Sequence, residues 1–330
     1  MSASIIGARH GSAIARGTAC GAAAGALWGL VFLAPALVRD FTPLQLTVGR
    51  YLAYGAIAAA LIGPQWRRLS RLLTRRDWLT LAWLALTGNT LYYVLLSTGV
   101  QTAGIPLTSL VIGFLPVAVT IVGSRDRDAV PLRQLAPSLL LGAGAALCIG
   151  WQALDPSAAT PGTRSIVGLA CAIGALICWT VYAVGNARAL ASRPGVSVHD
   201  WNLLIGLATG AQAIVLLPFA LSGAAAAHGM TAWGQFAAVS VGVAVAASII
   251  GNALWNKMSR LLPLTMVGQM ILFETLFALL YGFFWEQRWP TPAEIAAATL
   301  VIASVLSCIH AHRPRHRPRP LASDAGEPAR

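Results

Sequence analysis

Apolar runs of roughly twenty residues recur from about residue 17 to residue 310, divided by short polar gaps. A helix needs about 20 apolar residues to cross a bilayer core, so the pattern predicts membrane-spanning helices. Ten spans are read, at about 17–38, 44–63, 78–99, 104–123, 133–151, 164–185, 201–221, 233–255, 263–285 and 292–310, with ends uncertain by about 2–4 residues. No gap is large enough to fold as a separate soluble core. The expected fold is therefore an all-α integral membrane domain. Residues 1–16 read as an N-terminal tail, too polar for the apolar core of a signal peptide and without an A-x-A cleavage site. Residues 152–163 read as a linker and 311–330 as a basic tail.

Composition agrees with the pattern. Of 330 residues, 57% are hydrophobic and 10% charged, against about 25% charged in soluble domains. Mean hydropathy is +0.69. The net charge of +12 would suit nucleic acid if the basic residues formed one patch, but they sort by loop instead. Arg9, Arg16, Arg67, Arg68, Arg71, Arg75, Arg76, Arg125, Arg127, Arg133, Arg188, Arg193, Lys257, Arg260 and the five arginines from Arg313 onward make 19 in segments of one parity. Only Arg39, Arg164 and Arg288 fall in the alternate segments, and Arg50 lies inside the second span. Basic residues collect on the cytoplasmic side of membrane proteins. The split predicts both termini in the cytoplasm and no nucleic-acid partner. The basic tail is then free to touch anionic lipid. The five cysteines, at 20, 148, 171, 178 and 308, lie in or at the ends of apolar runs without C-x-x-C or His spacing, which argues against disulfide and metal roles.

The chain repeats itself. Gly17, Ala19, Cys20 and Trp28 return as Gly168, Ala170, Cys171 and Trp179; Gly88-Asn89-Thr90-Leu91 returns as Gly251-Asn252-Ala253-Leu254; Pro106-Leu107-Thr108 returns as Pro263-Leu264-Thr265. Three matches in the same order divide the chain into two five-span repeats, 17–151 and 164–310. Five is odd, so the second repeat should cross the membrane inverted, an arrangement suited to alternating access around a midplane site. Gly17, Gly21, Gly25 and Gly29 at four-residue spacing form a small-residue stripe for close helix packing.

Polar groups inside spans carry the chemistry. Glu274 stands near the centre of the ninth span, where an acid costs about 2.5–3.5 kcal/mol and so faces a protein interior or a watery cavity. Two readings stay open: a structural carboxylate held by hydroxyls or amides, or a group lining a transport route. Arg50, about seven residues into the second span, either snorkels, pairs with an acceptor such as Glu274, or meets a solute carboxylate. Asn89 and Asn252 occupy equivalent places in the two repeats and act either as interhelical glue or as cavity groups. Tyr92, Trp28, Trp179 and Tyr182 are candidate walls of an amphipathic pocket. Trp255, Trp285 and Trp289, at span ends, read as interface anchors. Gln269 precedes Glu274 by five residues, about 140° around the helix, so the two need not share a face, whereas Tyr281 does share it. The expected solute pathway comprises Trp28, Asn89, Tyr92, Trp179, Tyr182, Asn252, Gln269 and Glu274, with Arg50 as an ion-pair or anion contact.

These features resemble the drug/metabolite transporter superfamily in its bacterial EamA-type branch, over about residues 17 to 310. The resemblance rests on Trp28 and Trp179 closing similar small-residue helices, on Arg50 within TPLQLTVGRYL, on Pro116 in the fourth span, and on Glu274 with Glu286 in the ninth. It implies ten helices in two copies of a five-helix unit, a place in the bacterial inner membrane, and export of small metabolites or drugs. One departure is Glu274-Thr275 where the family often has Glu-Pro, which leaves the ninth span straighter.

Enzyme chemistry finds no footing. H-E-x-x-H, G-x-S-x-G and G-x-x-x-x-G-K-[ST] are absent from the sequence, and the six histidines sit at ends or in loops. No cofactor is expected. Without an ATP site, uphill transport would draw on a proton or ion gradient. A scaffold would not need a buried carboxylate. The expected partners are the lipid bilayer and a small solute, amphipathic or largely uncharged.

Overall fold

A computed structural model describes residues 2–123, 132–154, 162–222, 228–261 and 264–311. The side chains of residues 2–14 and 264–272 lie outside the description, as do linker residues 155–161 and the basic tail from 312 onward. Among the described residues all regular structure is helical. The first half runs α1 (Ser2–Leu37), α2 (Pro43–Ile62), α3 (Trp66–Leu72), α4 (Arg75–Ala85), α5 (Leu91–Ala103), α6 (Ile105–Ile112), α7 (Leu115–Gly123) and α8 (Leu132–Leu154). The second runs α9 (Gly162–Ala191), α10 (Val198–Leu221), α11 (Met230–Val243), α12 (Asn252–Leu261), α13 (Leu264–Glu286) and α14 (Pro292–Ala311). Among the described residues six stretches are long and apolar enough to cross a membrane: Ala15–Leu37, Pro43–Leu72, Arg75–Ala103, Arg164–Leu190, Val198–Leu221 and Met230–Trp255. Shorter apolar helices cover Ile105–Val119, Ala136–Ala145 and Pro292–Ser304.

The helix ends follow from local chemistry. Three helices open on a capping box, in which a threonine side chain accepts the N3 amide and the N3 side chain accepts the threonine amide: Thr42 with Gln45, Thr74 with Asp77, and Thr291 with Glu294. Gly104, at φ +87, makes the sharp link between α5 and α6 in a conformation that costs glycine least. The fourth expected span is broken into α6 and α7 around Gly113, because Pro116 offers no N–H and fits only the first turn of a new helix. The tail expected at 1–16 continues the first helix. α1 reaches back to Ser2, since Ala3, Ala8, Ala13 and Ala15 favour helix and no proline interrupts them. α13 runs unbroken through Glu274-Thr275, as the missing proline implied.

Two rods change pitch midway. A π-helical segment, Leu86–Thr90, joins α4 to α5, and another, Ala244–Gly251, joins α11 to α12. The first contains the pair Gly88-Asn89, and the second ends at its repeat, Gly251-Asn252. π-segments are rare, and they collect at functional sites.

Contacts between helices occur in reciprocal sets. α1 packs on α13 and along α11–α12, while α9 packs on α6–α7 and along α4–α5. α2 meets α10 and α11; α10 meets α2 and α4; α8 pairs with α14. Exchanging the halves maps this set onto itself. The Gly25 and Gly29 part of the α1 stripe lies against Phe273, Phe277 and Ala278 of α13, so the stripe is packing. At the crossing of α2 and α10, a Cβ on Gly55 would stand 2.6 Å from Gly210 Cα.

The ends are equally ordered. Beyond the C-terminus of α2, Arg68 pairs with Asp200 at 2.6 Å, and Arg193 pairs with Asp77. At the N-terminus of α2, Phe41 stacks among His228, Trp233 and Phe236. Outward-facing Leu79, Leu140, Leu147, Val215 and Phe219 are more than 60% exposed, whereas Thr47, Ser97, Thr108, Ser109 and Thr209 are buried. An exposed apolar coat over a partly polar interior suits lipid rather than water.

Candidate functional site

A cavity of about 320 Å³ lies between the halves, within the size range of small-molecule sites. α1 contributes Trp28; α2 contributes Arg50, Tyr51 and Tyr54; the first π-segment and α5 contribute Asn89 and Tyr92. From the second half come Trp179, Tyr182 and Asn186 of α9, Asn202 of α10, Ser248 of the second π-segment, Asn252 and Trp255 of α12, and Glu274 and Thr275 of α13. Eight of the nine residues singled out in the sequence thus line one space. The ninth, Gln269, lies on α13 with its side chain outside the description.

Arg50 does not snorkel. It is 6% exposed, with its guanidinium 4.3 Å from the Tyr93 ring centre and 5.1 Å from that of Tyr51. Nη2 donates one long bond, 3.4 Å, to Ser248 Oγ in the opposite half. Nε and Nη1 have no hydrogen-bond partner among the described residues. A buried cation with unmet donors is costly. Glu274 is half-buried and lines the same cavity. No direct ion pair joins it to Arg50 among the described residues.

The asparagines hold the walls in place. Asn89 Nδ2 donates to Thr209 Oγ1 at 3.1 Å. Asn252 Nδ2 donates to Ser248 O at 2.9 Å and to Asn202 Oδ1 at 3.4 Å. Trp201 Nε1 donates to Asn186 Oδ1 at 2.8 Å, and Tyr54 Oη donates to Asn202 O at 2.9 Å. Both roles weighed for Asn89 and Asn252 therefore meet in one place: each bonds between helices and borders the cavity.

The repeated glycines admit aromatic rings from across the divide. A Cβ on Gly88 would stand 2.3 Å from the Tyr182 ring, and a Cβ on Gly251 would stand 2.7 Å from Trp28 Nε1. That indole nitrogen donates to the Ala247 carbonyl, at 3.0 Å, within the second π-segment. Trp28 stacks 5.0 Å from Trp255, and Trp179 meets Tyr182 at 5.7 Å. Trp255, expected as an interface anchor, closes the apolar stretch Met230–Trp255 and also lines the cavity, while α12 continues to Leu261. Trp285 and Trp289 are exposed, in keeping with anchors. Tyr281 shares no part of the cavity lining and donates to Ala26 O at 3.2 Å.

Tyr51, Tyr54, Asn186, Asn202, Ser248 and Thr275 were missed. The signal existed for Tyr54, four residues from Arg50, and for Asn186, four from Tyr182, because residues four apart share a helix face. Ser248 carries no such mark.

The model of the EamA-like transporter family matches residues 15–149 and again 166–309. The chain belongs to the EamA-like transporter family. The inner membrane protein YtfF of Escherichia coli (strain K12) is 33% identical over 307 residues, 87% of this chain and 93% of that protein. A solved crystal structure 19% identical in sequence superposes with a TM-score of 0.55, covering 91% of this chain and 98% of the other. At that identity the match speaks to the fold alone. The two EamA segments meet within the two halves whose facing helices build the cavity.

Proposed function

We propose that this EamA-family transporter carries a small amphipathic solute across the bacterial inner membrane, outward, by alternating access between two inverted five-helix repeats, 17–151 and 164–310. The observation that carries the reading is the central cavity, walled by both halves, with buried Arg50 on one wall and Glu274 on another. The reciprocal helix contacts and the paired π-segments support the inverted arrangement. The two matched segments support ten crossings, and the sorting of basic residues among the loops supports cytoplasmic termini. Arg50 is read as the contact for an anionic group of the solute, the aromatic walls as the contact for its apolar body. Glu274 is read as the group that a proton or a cationic group neutralises during the cycle.

Proteoliposomes test this directly. Purified protein should exchange amphipathic carboxylates across the membrane, and an imposed pH gradient should change the rate. If neither carboxylates nor neutral analogues move faster than through protein-free vesicles, the transport reading fails. If only multiply charged hydrophilic solutes move, the assignment of the cavity fails while transport stands.

A further inference from the structure

A second hollow, separate from the central cavity, opens on the outer face between α4 and α10. It encloses about 620 Å³ and is lined chiefly by Trp66, Trp78, Leu86, Leu207, Val215 and Leu216. Its few polar groups are engaged: Thr90 Oγ1 donates to Gln212 Oε1 at 2.6 Å, and Gln212 Nε2 donates to the Ala82 carbonyl at 2.8 Å. What remains is an apolar groove. From Trp78 to Thr90 it follows twelve residues of helix, about 18 Å at 1.5 Å per residue. That is close to the depth of one leaflet, half of a core about 30 Å thick.

The mouth has a different character. Trp66 and Trp78 stand 6.1 Å apart at the rim, and tryptophan settles at headgroup level. In the chain segment between and around these two tryptophans, Arg67, Arg71, Arg75 and Arg76 are exposed. The acidic groups nearby are neutralised, Asp200 by Arg68 and Asp77 by Arg193. The field at the mouth is therefore positive.

We infer that this groove is a binding site for an anionic phospholipid, one acyl chain lying along α4 and α10 and the phosphate held by the arginines at the Trp66–Trp78 rim. The occupant is fixed by charge complementarity and by the leaflet depth of the groove. A zwitterionic lipid fills the groove equally well but gains less at the mouth.

The test uses the full chain in detergent, with native mass spectrometry measuring binding of dioleoyl phosphatidylglycerol and dioleoyl phosphatidylcholine. Phosphatidylglycerol should bind about tenfold or more tightly, the preference two arginines near an anionic headgroup supply. Val215→Trp, which fills the groove from an exposed position, should weaken both lipids at least about tenfold, and Ala211→Trp provides the same obstruction should the first variant prove unstable. Replacing Arg67, Arg71, Arg75 and Arg76 together by glutamine should erase the preference and leave the phosphatidylcholine affinity in place. Wild-type phosphatidylglycerol binding by a monodisperse Val215→Trp or Ala211→Trp protein would overturn the inference. So would a preference that survives the loss of the four arginines, or glycerol 3-phosphate alone competing at the same concentration as the lipid.

Discussion

Replacing Arg50 by methionine separates the solute role from the structural one. Methionine keeps much of the length and removes the charge. The losses are two cation–π contacts, at 4.3 Å and 5.1 Å, worth up to about 2 kcal/mol each when desolvated, and one long hydrogen bond to Ser248. Against them stands relief of a buried cation whose Nε and Nη1 are unmet, each costing about 1–3 kcal/mol. Exchanging buried charge for apolar volume is commonly neutral or stabilising by about 1–4 kcal/mol. The two sides cancel to within about 2 kcal/mol by the same figures, so Arg50→Met should insert and elute like the parent. Transport should not survive so well. Two charge-assisted bonds to a solute anion, at about 1.5–3 kcal/mol each, amount to at least about a hundredfold in kcat/KM for a carboxylate. The assay is exchange of matched carboxylates and amides in proteoliposomes loaded with equal protein. Amide transport should change little while carboxylate transport collapses. A folded Arg50→Met protein that moves carboxylates at the parental rate would refute the solute role, and a variant that fails to fold would refute the balance of energies.

Glu274→Gln should remain folded, since shape and much hydrogen bonding survive, while the response of transport to pH on either side of neutrality disappears; an unchanged pH response in the folded variant argues for a purely structural carboxylate. Arg288 binds Glu294 through two bonds, at 2.7 and 2.5 Å, and Glu286 at 2.8 Å. With Glu294 2% exposed but Arg288 itself a third exposed, Arg288→Gln should cost about 2–4 kcal/mol in thermal or denaturant unfolding. Those carboxylates, Glu294 foremost, raise the Arg288 pKa, so its contribution is complete below ordinary arginine titration and lost only above the raised value; the cost should be equal at neutral and mildly alkaline pH. Gly55→Ala puts a Cβ 2.6 Å from Gly210 Cα, where carbons prefer about 3.5–4.0 Å, and the overpacking should cost about 1–3 kcal/mol. Gly234→Ala, exposed within α11 and with nothing within 4 Å of its new Cβ, should raise the melting temperature slightly, since alanine in place of a helical glycine stabilises by about 0.4–1 kcal/mol.

What the sequence made legible was whatever repeats or costs energy. Apolar runs gave the helical class, and Pro116 and Gly104 sit where rods break. Glu274 and Arg50 stood out because an ionisable group in lipid must be explained, and the Gly-Asn pairs stood out because they recur. The π-segments were not legible, because Leu86–Thr90 and Ala244–Gly251 contain residues equally at home in an ordinary helix. Trp255 reads as an anchor because it closes the apolar stretch Met230–Trp255, and its place on the cavity wall beside Trp28 depends on how α12 lies against α1. Asn202 and Ser248 reach the cavity only through the way α10 and the second π-segment lie across α2, a long-range fact that no local pattern carries.

The two halves build a symmetric shell and then fill it asymmetrically. Gly55 and Gly210 touch at the crossing of α2 and α10, so these helices correspond about that point. Counting back five residues in each sets Arg50 opposite Ile205, and both line the cavity. One wall thus offers a guanidinium where its counterpart offers a methyl-bearing side chain. Glu274 likewise comes from α13, and the matching stretch of the first half, around Val117 by the Pro106 and Pro263 alignment, is apolar. A shell of matched rods is the kind of frame that the proposed alternating access would use. On the proposed function, that asymmetry of charge would give an anionic solute a single orientation, its charged end toward Arg50 of α2 and the remainder toward the aromatic walls and α13.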